Sequence, residues 1–459
     1  MKDSPQLVPP TVRARARAAT RWPIGFGPRF FVGLLLGLVW LGPGWWDARF
    51  LYAMVIWDLL VLGAWLWDLQ QLPRPEQLEL RRIWASSVAL ATRSQVELEL
   101  HNRGPSLVCV AVVDDVPVAL RREPPSVELR AAAGRTAEAS YAIEPVARGD
   151  TRLGQVFLRY RSGLALAERW ARAELTQTVR VLPNLEEAKR HTIYLIRSRQ
   201  IELEKRLKRR RGLGREFESL REYRQGDEGR DICWTASARR AKLIAKVYQV
   251  ERSQAVWIVL DAGRLLRARV ARLTKLDYAV NAALSLAQVA LYSGDQVGLL
   301  AYGRKPQQRV GTARGTAQLR MLVERLALVR GEASEADHAA AAEMLMAAQK
   351  RRSLVVWLTD LAETPTTPEV IESASRMMPR HLVLFAVIGH PELRQLAARR
   401  PARASEMYRY VAVQEILHRR ELLLRRLRQQ GAMAVELEPG RLSTALVNHY
   451  LEIKERSLL

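Results

Sequence analysis

Leu354-Val355-Val356-Trp357-Leu358-Thr359-Asp360 is an unbroken apolar and β-branched run closed by a carboxylate. A strand with no polar face belongs in a parallel sheet covered on both sides. Outward from it the same pattern recurs at Ala255–Leu260, Gln296–Tyr302, His381–Ile388 and Ala432–Glu436. Helical periodicity fills the intervals, near Leu273–Tyr292, Ala317–Leu328, Ala339–Arg351, Pro368–Met378, Ala412–Gln430 and Leu442–Arg456. Strands alternating with helices predict a doubly wound α/β domain over residues 255–459. Ligands of such sheets sit at the carboxyl ends of the strands, so Asp261 and Asp360, each just after a strand, are the first site candidates.

Upstream the period changes to two. Val96–Leu100, Val108–Val113, Ser126–Arg130, Ala137–Ile143, Gln155–Tyr160 and Leu175–Val181 alternate, with turn residues between them. That spacing predicts a small β-sandwich over residues 76–182. Residues 183–254 then read as a basic, partly helical linker that culminates in Lys205–Arg211. Between Lys189 and Arg252 there are 19 basic and 9 acidic residues, a local excess of 10.

Near the N-terminus, Phe30–Trp46 carries no charge and Leu51–Trp67 carries only Asp58. Each run is about 17 residues, roughly the shortest that spans a bilayer as a helix, and tryptophans crowd their ends. The expectation is a transmembrane helical hairpin over residues 30–69. Lys2, Arg13, Arg15, Arg17, Arg21 and Arg29 precede it, and Arg74, Arg81 and Arg82 follow, whereas the connecting turn has one charge of each sign. The positive-inside rule then puts the basic N-terminus, residues 1–29, and the folded domains in the cytoplasm. Asp58 is costly at mid-membrane, about 2.5–3.5 kcal/mol on insertion scales, so it is either protonated, met by a partner helix or reached by water.

The chain holds 72 Lys plus Arg against 48 Asp plus Glu, a formal charge of +24, and two cysteines. Cys109 and Cys233 cannot staple a domain, which fits a reducing compartment. Neither GxGxxG nor GxxxxGK[ST] occurs, and the seven scattered histidines include no HExxH. Dinucleotide, P-loop and zinc chemistry are therefore unsupported, and the chain reads as a non-enzyme. Asp261 and Asp360, with Asp337 in Glu335-Ala336-Asp337-His338, are a candidate oxygen-ligand set for a hard cation such as Mg2+. A strand-terminal Asp equally serves as a loop or helix cap. Both readings stand on these residues alone.

Gly214 to Leu243 interleaves arginines with carboxylates and aromatics in the pattern GxEFxxLRxYxxGDxxRxIxWxxSARxxxL. Arg221, Tyr223, Asp227, Arg230, Trp234 and Arg239 are its candidate partner-binding residues. The segment resembles the signature of the bacterial domain-of-unknown-function family fifty-eight. Pro145-Val-Ala-Arg148-Gly149 and Val181-Leu182-Pro183-Asn184-Leu185 also resemble that family. The strand-end aspartates look like those of a von Willebrand factor type A domain. The resemblance implies a protein of the bacterial inner membrane that works as an adaptor with a MoxR-type AAA+ ATPase or its client. Where the type A metal motif reads DxSxS, this chain has Asp261-Ala262-Gly263-Arg264-Leu265, without either hydroxyl. The expectation is that Arg264 pairs with Asp261 or Asp360 and closes the site to metal. For Lys205–Arg211, a solvated helix face ranks ahead of anionic lipid, and lipid ahead of nucleic acid.

Overall fold

The computed structural model describes residues 8–47, 49–184, 216–224, 229, 232–249, 254–361, 367–399, 401 and 403–456. These form two compact units, residues 1–182 and 183–459.

The first unit is built on strands β1 (Val12–Ala18), β2 (Ile24–Phe26), β3 (Leu78–Trp84), β4 (Ser94–Asn102), β5 (Val108–Asp114), β6 (Ser126–Ala131), β7 (Thr136–Ile143), β8 (Gly149–Leu153), β9 (Val156–Ser162), β10 (Ala167–Ala173) and β11 (Gln177–Val181). The main sheet runs β6-β5-β9-β10-β1-β3-β4-β7, with β2 paired to β10. Its edge strands β6 and β7 follow each other in sequence and lie against each other, so the sheet is nearly closed. Buried Val96, Leu98, Leu100, Val110, Val112, Leu158 and Tyr160 fill it, as the period-two pattern requires. At its centre Arg82 forks onto Asp114, Nε to Oδ2 at 3.0 Å and Nη2 to Oδ1 at 2.5 Å, while the Tyr141 hydroxyl donates to Oδ2 at 2.7 Å.

The segment read from sequence as a basic N-terminal tail supplies β1 and β2. Residues 12–15 pair with β3 and 16–18 with β10, so this strand joins the two halves of the sheet. Its Val-Arg-Ala-Arg-Ala-Arg-Ala alternation turns Ala16 inward and Arg13, Arg15 and Arg17 to solvent.

Between β2 and β3 the chain leaves the sheet as helices. The first stretch is α1 (Pro28–Gly37), a 3-10 turn Leu38–Trp40 and α2 (Leu41–Gly44); the second is α3 (Arg49–Gln71). Pro43 has no N–H for the residue 39 carbonyl, which fits the tightened turn just before it. Helix α3, at 23 residues, measures about 34 Å and spans a hydrocarbon core of roughly 30 Å. The residues from Pro28 to Gly44 are shorter, about 25 Å of helix. Among the described residues, then, one helix is long and apolar enough to cross a membrane, not the two that the sequence suggested.

Both helical stretches return to the same sheet. The Asp68 carboxylate at the end of α3, 1% exposed, accepts from the Ser162 hydroxyl at 2.5 Å and from the Leu166 and Ala167 amides at 3.0 and 2.8 Å. Trp65 Nε1 donates to the Gly25 carbonyl at 3.2 Å, and its ring packs at a tilt against Phe26 and Phe30. A side chain at Gly27 would meet the Ala165 carbonyl oxygen at 2.1 Å, so this close approach needs glycine.

In the second unit, β12 (Glu216–Glu222) pairs antiparallel with β13 (Ile244–Gln249), and helix α4 (Trp234–Arg240) lies between them in sequence. The large sheet contains β14 (Ala255–Asp261), β17 (Gln296–Tyr302), β18 (Pro306–Ala313), β19 (Leu354–Thr359), β20 (Leu382–Ile388) and β21 (Met433–Leu437), in the order β18-β17-β14-β19-β20-β21. Two two-residue strands, β15 (Arg269–Val270) and β16 (Leu273–Thr274), pair with each other beside it. All neighbours in the large sheet are parallel except β18, an antiparallel edge strand. Helices α7 (His338–Ala348), α8 (Thr367–Met377) and α10 (Ala404–Gln429) enclose one face around Trp257, Trp357 and Phe385. On the other, α5 (Lys275–Tyr292), α6 (Gly315–Ala327) and α11 (Leu442–Glu455) pack together. Helix α9 (Pro391–Ala398) packs against α10.

Candidate functional site

The carboxyl edge of the large sheet holds a buried charge cluster. Helix α5 starts at a capping box, in which Thr274 Oγ1 accepts from the Asp277 amide at 3.2 Å and Asp277 Oδ2 accepts from the Thr274 amide at 2.9 Å. This start sets Lys275 at the first helical position, fully buried, with its ammonium on Asp360 Oδ2 at 2.6 Å and on the Ile388 carbonyl at 3.2 Å. Arg420, from α10, reaches Asp360 Oδ1 at 2.5 Å and the same Ile388 carbonyl at 2.7 Å. His390, 31% exposed, stands 3.4 Å from Asp360 Oδ2. Arg420 Nε faces Glu436 at 3.5 Å, and Glu436 is also bound by Arg394 at 2.8 Å.

Burial raises the Asp360 pKa, but the His390 hydrogen bond and the charges of Arg420 and Lys275 outweigh it and hold the carboxyl at about 2. Burial dominates at Lys275 and brings its ammonium down to about 8 against the pull of Asp360. Asp261 is also buried, and burial pushes its carboxyl up. Its Oδ1 accepts from the Gly263 amide at 2.7 Å and its Oδ2 from the Thr359 hydroxyl at 2.7 Å.

The sheet thus brings Asp261 and Asp360 to adjacent strand ends, but with separate partners. Asp337 caps α7 instead, accepting from the Ala340 amide at 2.8 Å. Among the described residues no group of three or more His, Cys, Asp or Glu side chains is arranged for a metal ion. Arg264 does not take either strand-end aspartate, contrary to the sequence expectation. It lies in a 3-10 turn and binds one oxygen of half-buried Glu335 through Nη2 and Nε at 2.7 and 3.2 Å, while the Asp360 cations come from α5 and α10. Both missed partners left signals. A lysine in the first turn of a helix opposes the macrodipole and needs a compensating anion. Arg420 falls on the buried stripe of Val413, Leu423, Leu424 and Leu427, within a run that otherwise reads as solvated charge.

The signature segment forms a second candidate site. The Cys233 amide donates to the Ile244 carbonyl at 2.8 Å, the Tyr223 amide to the Leu243 carbonyl at 2.9 Å, and Ser237 Oγ accepts from the Ile244 amide at 2.9 Å. These bonds tie α4 to the start of β13 and leave Trp234 68% exposed; Leu243, just before β13, and Leu220 on β12 are exposed too. Arg239, Arg240 and Lys242 are also exposed, Lys242 pairing with Glu222 at 3.1 Å. Arg221 and Tyr223 are half-buried. Asp227, Arg230 and the run Lys205–Arg211 lie outside the described residues. Hydrogen bonds from the Ala236 amide and the Thr235 hydroxyl lower the Cys233 pKa.

Residues 219–398 match the family model described as Protein of unknown function DUF58. The crystal structure of the conserved hypothetical protein BatB from Bacteroides thetaiotaomicron is similar at 14% identity and a TM-score of 0.32, over 44% of this chain and 100% of that one. Proximal thread matrix protein 1 from the mussel byssus is similar at 10% identity and a TM-score of 0.28, over 43% of this chain and 46% of that one. Neither score carries an argument about fold or function. No curated protein matches the chain.

Proposed function

We propose that this chain, which carries a DUF58 match over residues 219–398, is a non-enzymatic adaptor anchored in the bacterial inner membrane. Its α/β unit, read as von Willebrand factor A-like, docks a partner protein, with a MoxR-type AAA+ ATPase or its client as the partner class. The observation that carries the reading is Trp234, a large aromatic left 68% exposed on the module formed by β12, α4 and β13, whose Leu220, Leu243, Arg239, Arg240 and Lys242 are exposed as well. Exposed aromatics next to arginine are the side chains that dominate protein interfaces. The strand-end cluster supports the non-catalytic part of the reading, because Lys275 and Arg420 already occupy the Asp360 carboxylate that a divalent cation would need.

Two features support the anchor. Helix α3 is long enough to span, and the strands on either side of the helical segment, β2 and β3, belong to one sheet. A chain that leaves and rejoins the same sheet starts and finishes on one side of the bilayer. In this reading the shorter first stretch crosses as well, with local bilayer thinning, and both termini are cytoplasmic. The test is cross-linking mass spectrometry in native membranes with the wild type and Trp234→Ala. The variant should keep its secondary structure and lose the cross-linked partner by tenfold or more, since a hot-spot truncation costs about 2 kcal/mol or more. An undiminished partner yield would end the assignment of Trp234, and absence of any protein partner from the wild type would end the adaptor reading.

A further inference from the structure

The base of the helical segment is ringed by two turns of the β-unit. The β9–β10 turn wraps Asp68: Ser162 Oγ donates to that carboxylate and accepts from the Leu164 and Ala165 amides at 3.1 and 3.2 Å, while Ala165 takes a φ of +55°. The β4–β5 turn reaches the same helix end, with Ser106 Oγ donating to the Gln71 carbonyl at 2.7 Å. A side chain at Gly104 would meet the Pro73 ring at 2.4 Å, which shows how closely that turn approaches. Each turn carries one exposed leucine, Leu164 at 45% and Leu107 at 47%.

Three exposed arginines stand around this ring. Arg29, at the start of α1, donates to the Gly163 and Leu164 carbonyls at 3.3 Å each. Arg74 follows α3 by three residues, and Arg161 immediately precedes Ser162 at the end of β9. Among the described residues none of the three has a carboxylate within ion-pair distance, unlike neighbouring Arg103 and Arg159, which pair with Glu79 at 2.6 Å and Glu168 at 2.9 Å. Uncompensated cations beside solvated apolar tips, at the point where a spanning helix leaves its domain, match the chemistry of the headgroup layer.

We propose that this rim is a second membrane contact, in which Leu107 and Leu164 insert into the headgroup region and Arg29, Arg74 and Arg161 bind anionic phospholipid headgroups. The inference rests on the membrane reading of α3. Asp68 and its partners fix the turn to the helix, so the contact holds the β-unit at a set orientation on the bilayer.

The full chain carrying Cys109→Ser and Cys233→Ser is reconstituted in nanodiscs of phosphatidylcholine with increasing phosphatidylglycerol. An environment-sensitive fluorophore is attached at Leu164→Cys or, as a reference, at Leu59→Cys in the middle of α3. Headgroup-quencher lipid is expected to quench the Leu164→Cys probe increasingly as phosphatidylglycerol rises. Arg161→Gln or Arg74→Gln should raise the phosphatidylglycerol fraction at half-maximal quenching by up to about fivefold, the equivalent of one basic residue at an anionic surface. A water-exposed Leu164→Cys probe beside a lipid-buried Leu59→Cys probe would overturn the rim contact and leave the anchor standing. Quenching that ignores phosphatidylglycerol and both arginine substitutions would overturn the headgroup assignment. A water-exposed Leu59→Cys probe would instead bring down the membrane reading itself.

Discussion

Each unit buries an arginine on an aspartate, and the two pairs are built differently. In the β-unit, Arg82 and Asp114 meet one to one through two parallel hydrogen bonds. The third nitrogen of Arg82, Nη1, donates to the Leu175 carbonyl at 2.6 Å, and Tyr141 donates to the carboxylate. Both side chains are completely buried. In the α/β unit, Asp360 faces two cations and a partly exposed histidine, with Glu436 behind Arg420 as a second carboxylate. The first arrangement is closed, and nothing about it points to a ligand. The second spreads two cations over two carboxylates and opens to solvent through His390, at the sheet edge where α/β folds place their sites. The route to water, rather than burial alone, separates a core ion pair from a candidate site.

Breaking the closed pair should cost most. Arg82→Met leaves the Asp114 carboxylate buried with Tyr141 as its remaining side-chain donor, and loss of one partner of a buried pair costs about 3–5 kcal/mol. Native-state hydrogen exchange should show the loss across β3, β4 and β5 and leave β14, β19 and β20 protected. Arg82→Met with Asp114→Leu should recover most of it, since replacing both partners by apolar groups is often neutral. A double variant as unstable as the single one would mean that the pair specifies the sheet rather than merely filling it.

Asp360→Asn comes next, with an expected loss of about 2–3 kcal/mol, because Lys275 and Arg420 keep the Ile388 carbonyl and Arg420 keeps Glu436. The wild type should also carry an acid limb that the variant lacks. The folded-state carboxyl at about 2 lies below its ordinary value of 3.8, so its contribution is complete above about pH 4 and is lost as pH falls through 2. That shift corresponds to about 2 kcal/mol, read as the difference between the two acid unfolding curves.

How legible these features were in the sequence follows the same division. Ala255–Asp261, Leu354–Thr359 and Leu382–Ile388 are apolar on both faces and declared themselves as interior strands. Val12–Ala18 did not, because alternating arginine and alanine reads equally as a basic tail, and only pairing with β3 and β10 makes it a strand. In β10, Ala167-Glu168-Arg169-Trp170-Ala171-Arg172-Ala173 hides its inward alternation behind small residues and a buried glutamate. At the site, the strand-end aspartates were visible from local pattern, whereas Lys275 and Arg420 lie 85 and 60 positions from Asp360. Local periodicity carries no information about which of many arginines folds back onto a given carboxylate.

Lys275→Met sharpens the comparison from the cation side. Removing one of two cations from Asp360 also removes the cost of burying an ammonium, so the net loss at pH 7 should stay below about 1.5 kcal/mol. The gap widens with alkali. The folded chain releases the Lys275 proton near 8 while the unfolded chain keeps it to 10.5, so the unfolded state binds more protons in that window and wild-type stability rises across it relative to the variant. Denaturant unfolding of both proteins between pH 8 and 10.5 reads the gap directly.

The smallest effect belongs to His390, and it tests whether the opening at Asp360 matters to the fold. At 3.4 Å and 31% exposed, its contact with the carboxylate is screened by water and worth less than about 0.5 kcal/mol. His390→Gln should therefore leave unfolding at pH 7 unchanged within error. It should also raise the Asp360 pKa and shift the acid limb upward, because the imidazole hydrogen bond is one of the interactions holding that carboxyl down. If neutral-pH stability instead falls as far as in Asp360→Asn, His390 is a structural member of the cluster. The site would then be closed in the same sense as Arg82 and Asp114, and the distinction drawn between the two pairs would fail.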